Sequence, residues 1–231
     1  MISMNTKNHS GITRRALSTI AAVSCCLAAA ISLAATEPAP PAATASFSLA
    51  PGSRLSLEGQ STLHAYSSTA TTVEATAEFD GTFAAGSPEA RAAVAAGALK
   101  GLRVTVPVAA LKSGENGLDK NMRKALKQDT APVIRFTLVD YKAEEAKDGS
   151  LLVKAHGRLS IAGVEKDTVV EATCRFGPGG VEVTGAKDLL MSDYGIKPPT
   201  MMMGTIKTAD KIVVRFALKL KASNATAAKK L

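Results

Sequence analysis

Apolar and polar side chains alternate along most of this chain, so that every second residue is apolar. In one such run, Leu102, Val104 and Val106 are separated by Arg103 and Thr105. A period of two places the apolar side chains on one face of a β-strand and the polar ones on the other. The pattern therefore predicts about eight strands, in runs at residues 55–57, 73–79, 102–108, 134–138, 151–161, 170–176, 181–183 and 212–220.

Short turn sequences separate several of these runs. Asp-Gly-Ser at residues 148–150, Ala-Gly at 162–163 and Gly-Pro-Gly-Gly at 177–180 all permit tight reversals of the chain. Neighbouring strands are therefore predicted to be antiparallel hairpins. Eight such strands can close into a barrel or stack as a sandwich, and periodicity alone does not choose between the two.

Two segments depart from the alternation and predict helices. Ser-Pro-Glu at residues 87–89 has the residue types of a helix cap and first turn, and the alanine-rich stretch after it ends near Gly97. At residues 118–127 the apolar side chains share one helix face, and lysine and arginine cover the remainder. The second helix is interpreted as a plug at one barrel end, with a mobile lid over a ligand mouth as the alternative.

The first 35 residues predict an export signal. Arg14 and Arg15 precede an apolar run at residues 16–35, and the small residues Ser32 and Ala34 suit cleavage after Ala34 or Ala35. A retained membrane anchor is the alternative, because the run is about long enough to span a bilayer. Its many alanines make it only weakly hydrophobic, so we expect cleavage and a periplasmic or secreted protein.

Cleavage divides the chain into a leader at 1–35 and a mature protein with Cys174 as its one cysteine. An intrachain disulfide is then impossible, and stability must come from the core. Residues 36–52 and 222–231 are rich in small and polar side chains, which predicts a flexible linker and a flexible tail. The folded domain is expected at residues 53–221.

The formal charge of +8 does not indicate a nucleic-acid partner. Three basic residues lie in the leader, which leaves 25 basic against 20 acidic residues in the rest of the chain. Four of those 25 are lysines crowded at the C-terminus, and the body interleaves both signs. We therefore expect no binding to nucleic acid.

No motif for catalysis, a metal or a phosphate is present, so we expect a non-enzyme without cofactor or metal. His64 and His156 are the histidines that follow the leader. His156 alternates with apolar residues and is predicted to face water. His64 comes where a strand ends and is interpreted as a hydrogen-bonded structural residue, with a role at a ligand mouth or a metal as the alternative.

Sulfur-containing residues lie on or near the predicted core. Cys174 shares the apolar face of residues 170–176 and is predicted to be a buried, unreactive side chain. Met191 and the three methionines at 201–203 suit a surface that adapts to an irregular apolar ligand. Filling gaps in the core is the favoured interpretation for them.

The order and spacing of several short segments resemble the YceI-like family of exported bacterial barrels. Ser-Thr-Leu-His at residues 61–64 resembles the end of that family's first strand in one branch. The resemblance covers about residues 53–221. It is carried further by residues 113–114, 118–123, 132–136, 157–166, 193–196 and 210–214.

The resemblance implies an all-β fold, an eight-stranded antiparallel lipocalin-like β-barrel with one or two short helices in its connections. It also implies an elongated apolar interior that holds a long-chain lipid such as a polyisoprenoid. The side chains expected to line that interior are Phe79, Val104, Val106, Met122, Leu126, Ile134, Phe136, Leu159, Ile161 and Phe216, with His64 and Tyr66 as candidates for its mouth.

The prediction is thus an exported protein that sequesters or carries an apolar lipid, such as an isoprenoid or a fatty acid. A transient contact with a membrane surface stays open. The alternative is a barrel whose core is filled by side chains and which acts as an envelope interaction or stress-response protein. The volume of the interior distinguishes the two, because barrels of eight strands are just wide enough to be filled or to hold one ligand.

Overall fold

Residues 43–81, 83–201 and 205–223 are described by the computed structural model of the protein. The predicted signal peptide at 1–35 and the methionines at 202–203 lie outside these residues. Among the described residues, no helix has the length and apolar character needed to cross a lipid bilayer.

The described residues form twelve strands and two helices. Helix α1 spans Pro88–Ala95 and α2 spans Asn116–Ala125. The strands are β1 Ala43–Leu49, β2 Arg54–Ser61, β3 Ala65–Ala70, β4 Glu74–Phe79, β5 Leu99–Pro107, β6 Leu111–Lys112, β7 Val133–Glu145, β8 Leu151–Ile161, β9 Val164–Gly177, β10 Gly180–Leu190, β11 Thr200–Met201 and β12 Ile206–Ser223.

The strands close into a barrel of eight antiparallel passes. Strand β12 pairs with β10 along one edge and with both β1 and β2 along the other. Strands β1 and β2 pair in turn with β4 and β3, which pair with β5 and β6. From β5 the sheet continues through β7, β8, β9 and β10. Three passes each consist of two strands, namely β1 with β2, β3 with β4, and β5 with β6. The other five passes are β7, β8, β9, β10 and β12, so the predicted eight-stranded antiparallel barrel is confirmed.

Two boundaries differ from the sequence prediction. Residues 43–49, assigned to a flexible linker, form β1 and are hydrogen-bonded into the barrel wall between β4 and β12. Residues 222–223, assigned to the tail, are the end of β12. The run at 181–183 was expected to be a short strand, yet β10 continues to Leu190. Gly185 and Lys187 interrupt its apolar alternation, which is why the pattern ended too early.

The predicted turns are present. The two-residue loop between β8 and β9 has positive φ at both Ala162 and Gly163, with values of 52° and 83°. Such a pair of angles matches the right-handed twist of the flanking strands and gives a tight hairpin.

Helix α1 lies at one end of the barrel, which we call the α1 end. The Ser87 side chain accepts a hydrogen bond from Ala90 N, as predicted for the helix cap. Tyr141 of β7 donates its hydroxyl to Val94 O at 2.7 Å, and the same hydroxyl accepts from Leu99 N at 3.3 Å. The tyrosine thereby ties the last turn of α1 to two strands of the wall.

Helix α2 lies at the opposite end, the α2 end, where β6, β8 and β10 finish. The Asp119 carboxylate accepts hydrogen bonds from the Ser113 hydroxyl at 2.7 Å and the Ser113 amide at 2.8 Å. These bonds hold the pKa of Asp119 below its usual range. Leu126, just after the helix, is buried in the main apolar core. Its packing agrees with the interpretation of α2 as a plug.

Candidate functional site

A cavity of about 680 Å³ occupies the barrel interior. An eight-stranded barrel is usually narrow enough for side chains to fill. Here several inward-facing positions carry alanine, and these small side chains leave room for the cavity. These alanines are Ala75 and Ala77 on β4, Ala155 on β8 and Ala172 on β9.

The cavity is long and nearly all of its lining is apolar. Phe79, Val94 and Phe176 border it at the α1 end, and Met122 and Ile161 border it at the α2 end. Strand β8, which runs between the two ends, has 11 residues. At about 3.3 Å per residue and a tilt of about 40°, such a strand rises roughly 25–30 Å along the barrel axis. This length suits an elongated chain better than a compact ligand.

The structure brings all the predicted lining residues together. The ten side chains named from the sequence border this one cavity, and so do His64 and Tyr66. Whether they bind a ligand stays a prediction. They come from six different strands, from α2 and the residue after it, and from the loop between β2 and β3, so their meeting depends on closure of the barrel.

Three of the aromatic side chains that border the cavity lie over a glycine of the wall. A Cβ atom placed on Gly157 would come within 2.6 Å of Phe136 Cζ. Phe216 and Tyr66 likewise occupy the space beside Gly185 and Gly59. Each ring therefore lies along the wall in the place of the missing side chain. Partial burial raises the pKa of the Tyr66 hydroxyl above its usual value.

The cavity reaches the surface between α2 and the loop that joins β2 to β3. Leu63 and His64 of the loop line the cavity and are exposed, and Leu63 is 67% exposed. Glu115 and Asn121 border the cavity from the helix side. We call this opening the mouth. Leu63 thus places an apolar side chain at the rim of the mouth.

Ser61, not His64, holds the mouth loop in place. The Ser61 hydroxyl accepts from the amide of His64 at 3.1 Å and donates to the carbonyl oxygen of His64 at 2.8 Å. None of the hydrogen bonds formed by the described residues involves the His64 ring. The interpretation of His64 as a hydrogen-bonded structural side chain is therefore wrong. Its ring was expected to find a partner inside the fold, but the loop turns it outward at the mouth.

Two polar residues on the wall were missed by the sequence analysis. Ser68 on β3 is 1% exposed, and its hydroxyl forms no hydrogen bond with the described residues. Lys187 on β10 is half-buried at an inward-facing position. A signal existed for Lys187, because it continues the alternation of Val181, Val183 and Gly185 and is a polar residue at an apolar position.

The remaining candidates from the sequence have structural surroundings. Burial raises the pKa of the Cys174 thiol to about 11, so the thiol stays protonated and unreactive at neutral pH, as predicted. Met191 is 8% exposed and belongs to the apolar core, which fits the gap-filling interpretation. The His156 ring is partly exposed outside the barrel, 3.0 Å from Asp140. Within the described residues, no three potential metal ligands come together.

A closed antiparallel barrel with an elongated apolar cavity defines the lipocalin-like class of barrels. The chain belongs to the YceI-like family, whose domain model matches residues 53–220. No curated protein matches the chain at a significant level.

Two solved structures share the fold. BcnA of Burkholderia cenocepacia is 17% identical over 72% of this chain and 94% of its own, with a TM-score of 0.54. A polyisoprenoid-binding domain from Saccharophagus degradans, implicated in plant cell wall breakdown, is 14% identical over 79% of this chain and 99% of its own, with a TM-score of 0.56. At these identities the similarity concerns the fold.

Proposed function

We propose that this protein binds a long-chain apolar lipid, of the polyisoprenoid type, inside its barrel and carries or sequesters it. The cavity is the observation that carries the proposal. Its apolar lining offers a lipid chain the same environment as a protein core, and each buried CH₂ group contributes about 0.8 kcal/mol to binding. The S. degradans structure, which has the same fold, is that of a polyisoprenoid-binding domain and supports the ligand class.

The alternative of a filled barrel is less well supported. A filled interior would leave voids of at most a few water molecules, because protein cores are close-packed. A cavity of about 680 Å³ is far larger than that. The function needs no catalytic group, and we propose that the protein is not an enzyme.

A competition titration tests the proposal. A fluorescent apolar probe is added to the purified protein and then displaced by a polyprenol. The absence of tryptophan from the chain leaves the probe signal free of tryptophan emission. We expect saturable displacement at one site per barrel. A probe that binds but is not displaced by a polyprenol or any other long-chain lipid would contradict the proposal.

Export to the periplasm or beyond the cell is a further part of the proposal. It is supported by the basic and apolar pattern of the first 35 residues. N-terminal sequencing of the protein purified from its host should begin at Ala35 or Thr36. Recovery of a chain with intact Met1 in a membrane fraction would instead show a retained anchor.

A further inference from the structure

Strands β9 and β10 are paired over only part of their length within the closed barrel. These strands pair only between residues 172–177 and 180–185. Their halves at the α2 end are not hydrogen-bonded to one another among the described pairings. A cleft of about 220 Å³ lies between these halves, and we call it the side cleft. It is lined by Lys166, Asp167, Thr168, Lys187, Asp188, Leu189, Leu190, Asp193, Tyr194 and Lys211.

The side cleft lies directly beside the lipid cavity, and the same side chains separate the two spaces. Lys187, Leu189, Leu190 and Tyr194 border both spaces. A lysine at such a position can lay its aliphatic stem along the apolar interior and hold its ammonium group in the more polar space. Lys187 therefore lies between the apolar cavity and the more polar side cleft.

The charges of the side cleft leave Lys187 without a partner. Lys166 pairs with Asp193 at 3.1 Å, and Lys211 pairs with Asp188 at 2.7 Å. Lys187 takes part in none of the ion pairs found among the described residues. The remaining carboxylate of the cleft, Asp167, has a side chain that is 73% exposed, so solvent screens its charge strongly.

A second polar side chain without a hydrogen-bond partner faces the same interior. Lys187 pairs with Val214 on β12, Val214 pairs with Leu57 on β2, and Leu57 pairs with Ser68 on β3. Because the side chains of directly paired residues share a face, all four side chains face the interior in one row across the strands. Neither of the two polar side chains in this row, Lys187 and Ser68, has an ion-pair or hydrogen-bond partner among the described residues.

We propose that the side cleft receives an anionic head group, carboxylate or phosphate, of the lipid whose chain occupies the cavity, and that Lys187 is the cation that binds it. The inference rests on the proposed function, since it needs a lipid chain in the barrel. Charge-assisted hydrogen bonds between an ammonium group and such an anion are among the strongest that proteins form. The head group would thus lie at the side of the barrel and not at the mouth.

Two matched ligand pairs test the inference, farnesyl phosphate against farnesol and a fatty acid against its methyl ester. In each pair the members have the same chain and differ in the charge of the head. Affinities are measured by displacement of the fluorescent apolar probe. We expect the protein to prefer the anionic member by about tenfold, and K187M to bind the two members of each pair equally. A preference in one pair alone identifies the head group as phosphate or carboxylate.

Two further variants complete the test. K187R should keep the preference because it keeps the charge, and K154M should keep it because Lys154 pairs with Glu171 on the outside of the barrel. An equal affinity of the unmodified protein for both members in both pairs would overturn the inference but leave the proposed function intact. A preference of K187M for the anionic members would likewise overturn the inference and leave the proposed function intact. If no member of either pair displaces the probe, both the inference and the proposed function fail.

Discussion

Phenylalanine in place of Ala77 or Ala155 should abolish lipid binding and leave the barrel folded. Ala77 on β4 and Ala155 on β8 both border the cavity, and strands β5 and β7 lie between them in the wall. A ring added at either position projects into empty space, where it blocks the path of a lipid chain. We expect affinity for a polyprenol to fall by at least about tenfold, with a melting temperature close to that of the unmodified protein.

Ala217→Phe is the matched control for these two variants. Ala217 is exposed on β12, so the same ring is added outside the barrel. It should change neither binding nor stability. In a filled core the inward rings would cause overpacking, which costs about 1–3 kcal/mol. A clear drop in melting temperature for both inward variants, with lipid affinity unchanged, would show that the interior is not the binding site.

Phe136→Asp should destabilise the protein by about 3 kcal/mol or more. The ring of Phe136 lies between Val104 and Leu159 on neighbouring strands and covers Gly157. Truncating a phenylalanine in such surroundings costs about 3–5 kcal/mol, and a carboxylate there has no partner. For a domain of this size the melting temperature should fall by roughly 6–12 °C.

Thr137→Asp tests the face assignment of the same strand. Thr137 pairs with Arg103 on one side and Arg158 on the other. A carboxylate at this position therefore lies between two cations and should be neutral or slightly stabilising. Equal melting temperatures for the two aspartate variants would mean that Phe136 does not face the interior.

Most of the barrel could be predicted because its signal is local. A strand with one apolar face shows its period in a few residues, and the loop sequence at 162–163 gives its hairpin directly. Strand β1 was missed because residues 43–49 are mostly alanine, serine and threonine, and their alternation is weak. Its position depends on pairing with β12, which lies more than 150 residues away in the sequence.

The candidate site was predictable in part for the same reason. Apolar residues such as Phe79 and Phe216 were assigned to the interior because alternation fixes the face of a strand. The volume of the cavity could not be predicted, because it depends on how rings such as Phe216 lie over Gly185. The side cleft depends on where β9 and β10 stop pairing, and the alternation of apolar residues does not show where that pairing ends.

Native mass spectrometry of the protein purified from its own host, without detergent or organic solvent, tests the central claim most directly. We expect a mass above that of the polypeptide, with the excess released on denaturation as one long-chain apolar lipid per barrel. We also expect that Ala155→Phe, purified in the same way, has the mass of the polypeptide alone. A polypeptide mass for the unmodified protein, unchanged after incubation with a total lipid extract of the host, would contradict the account.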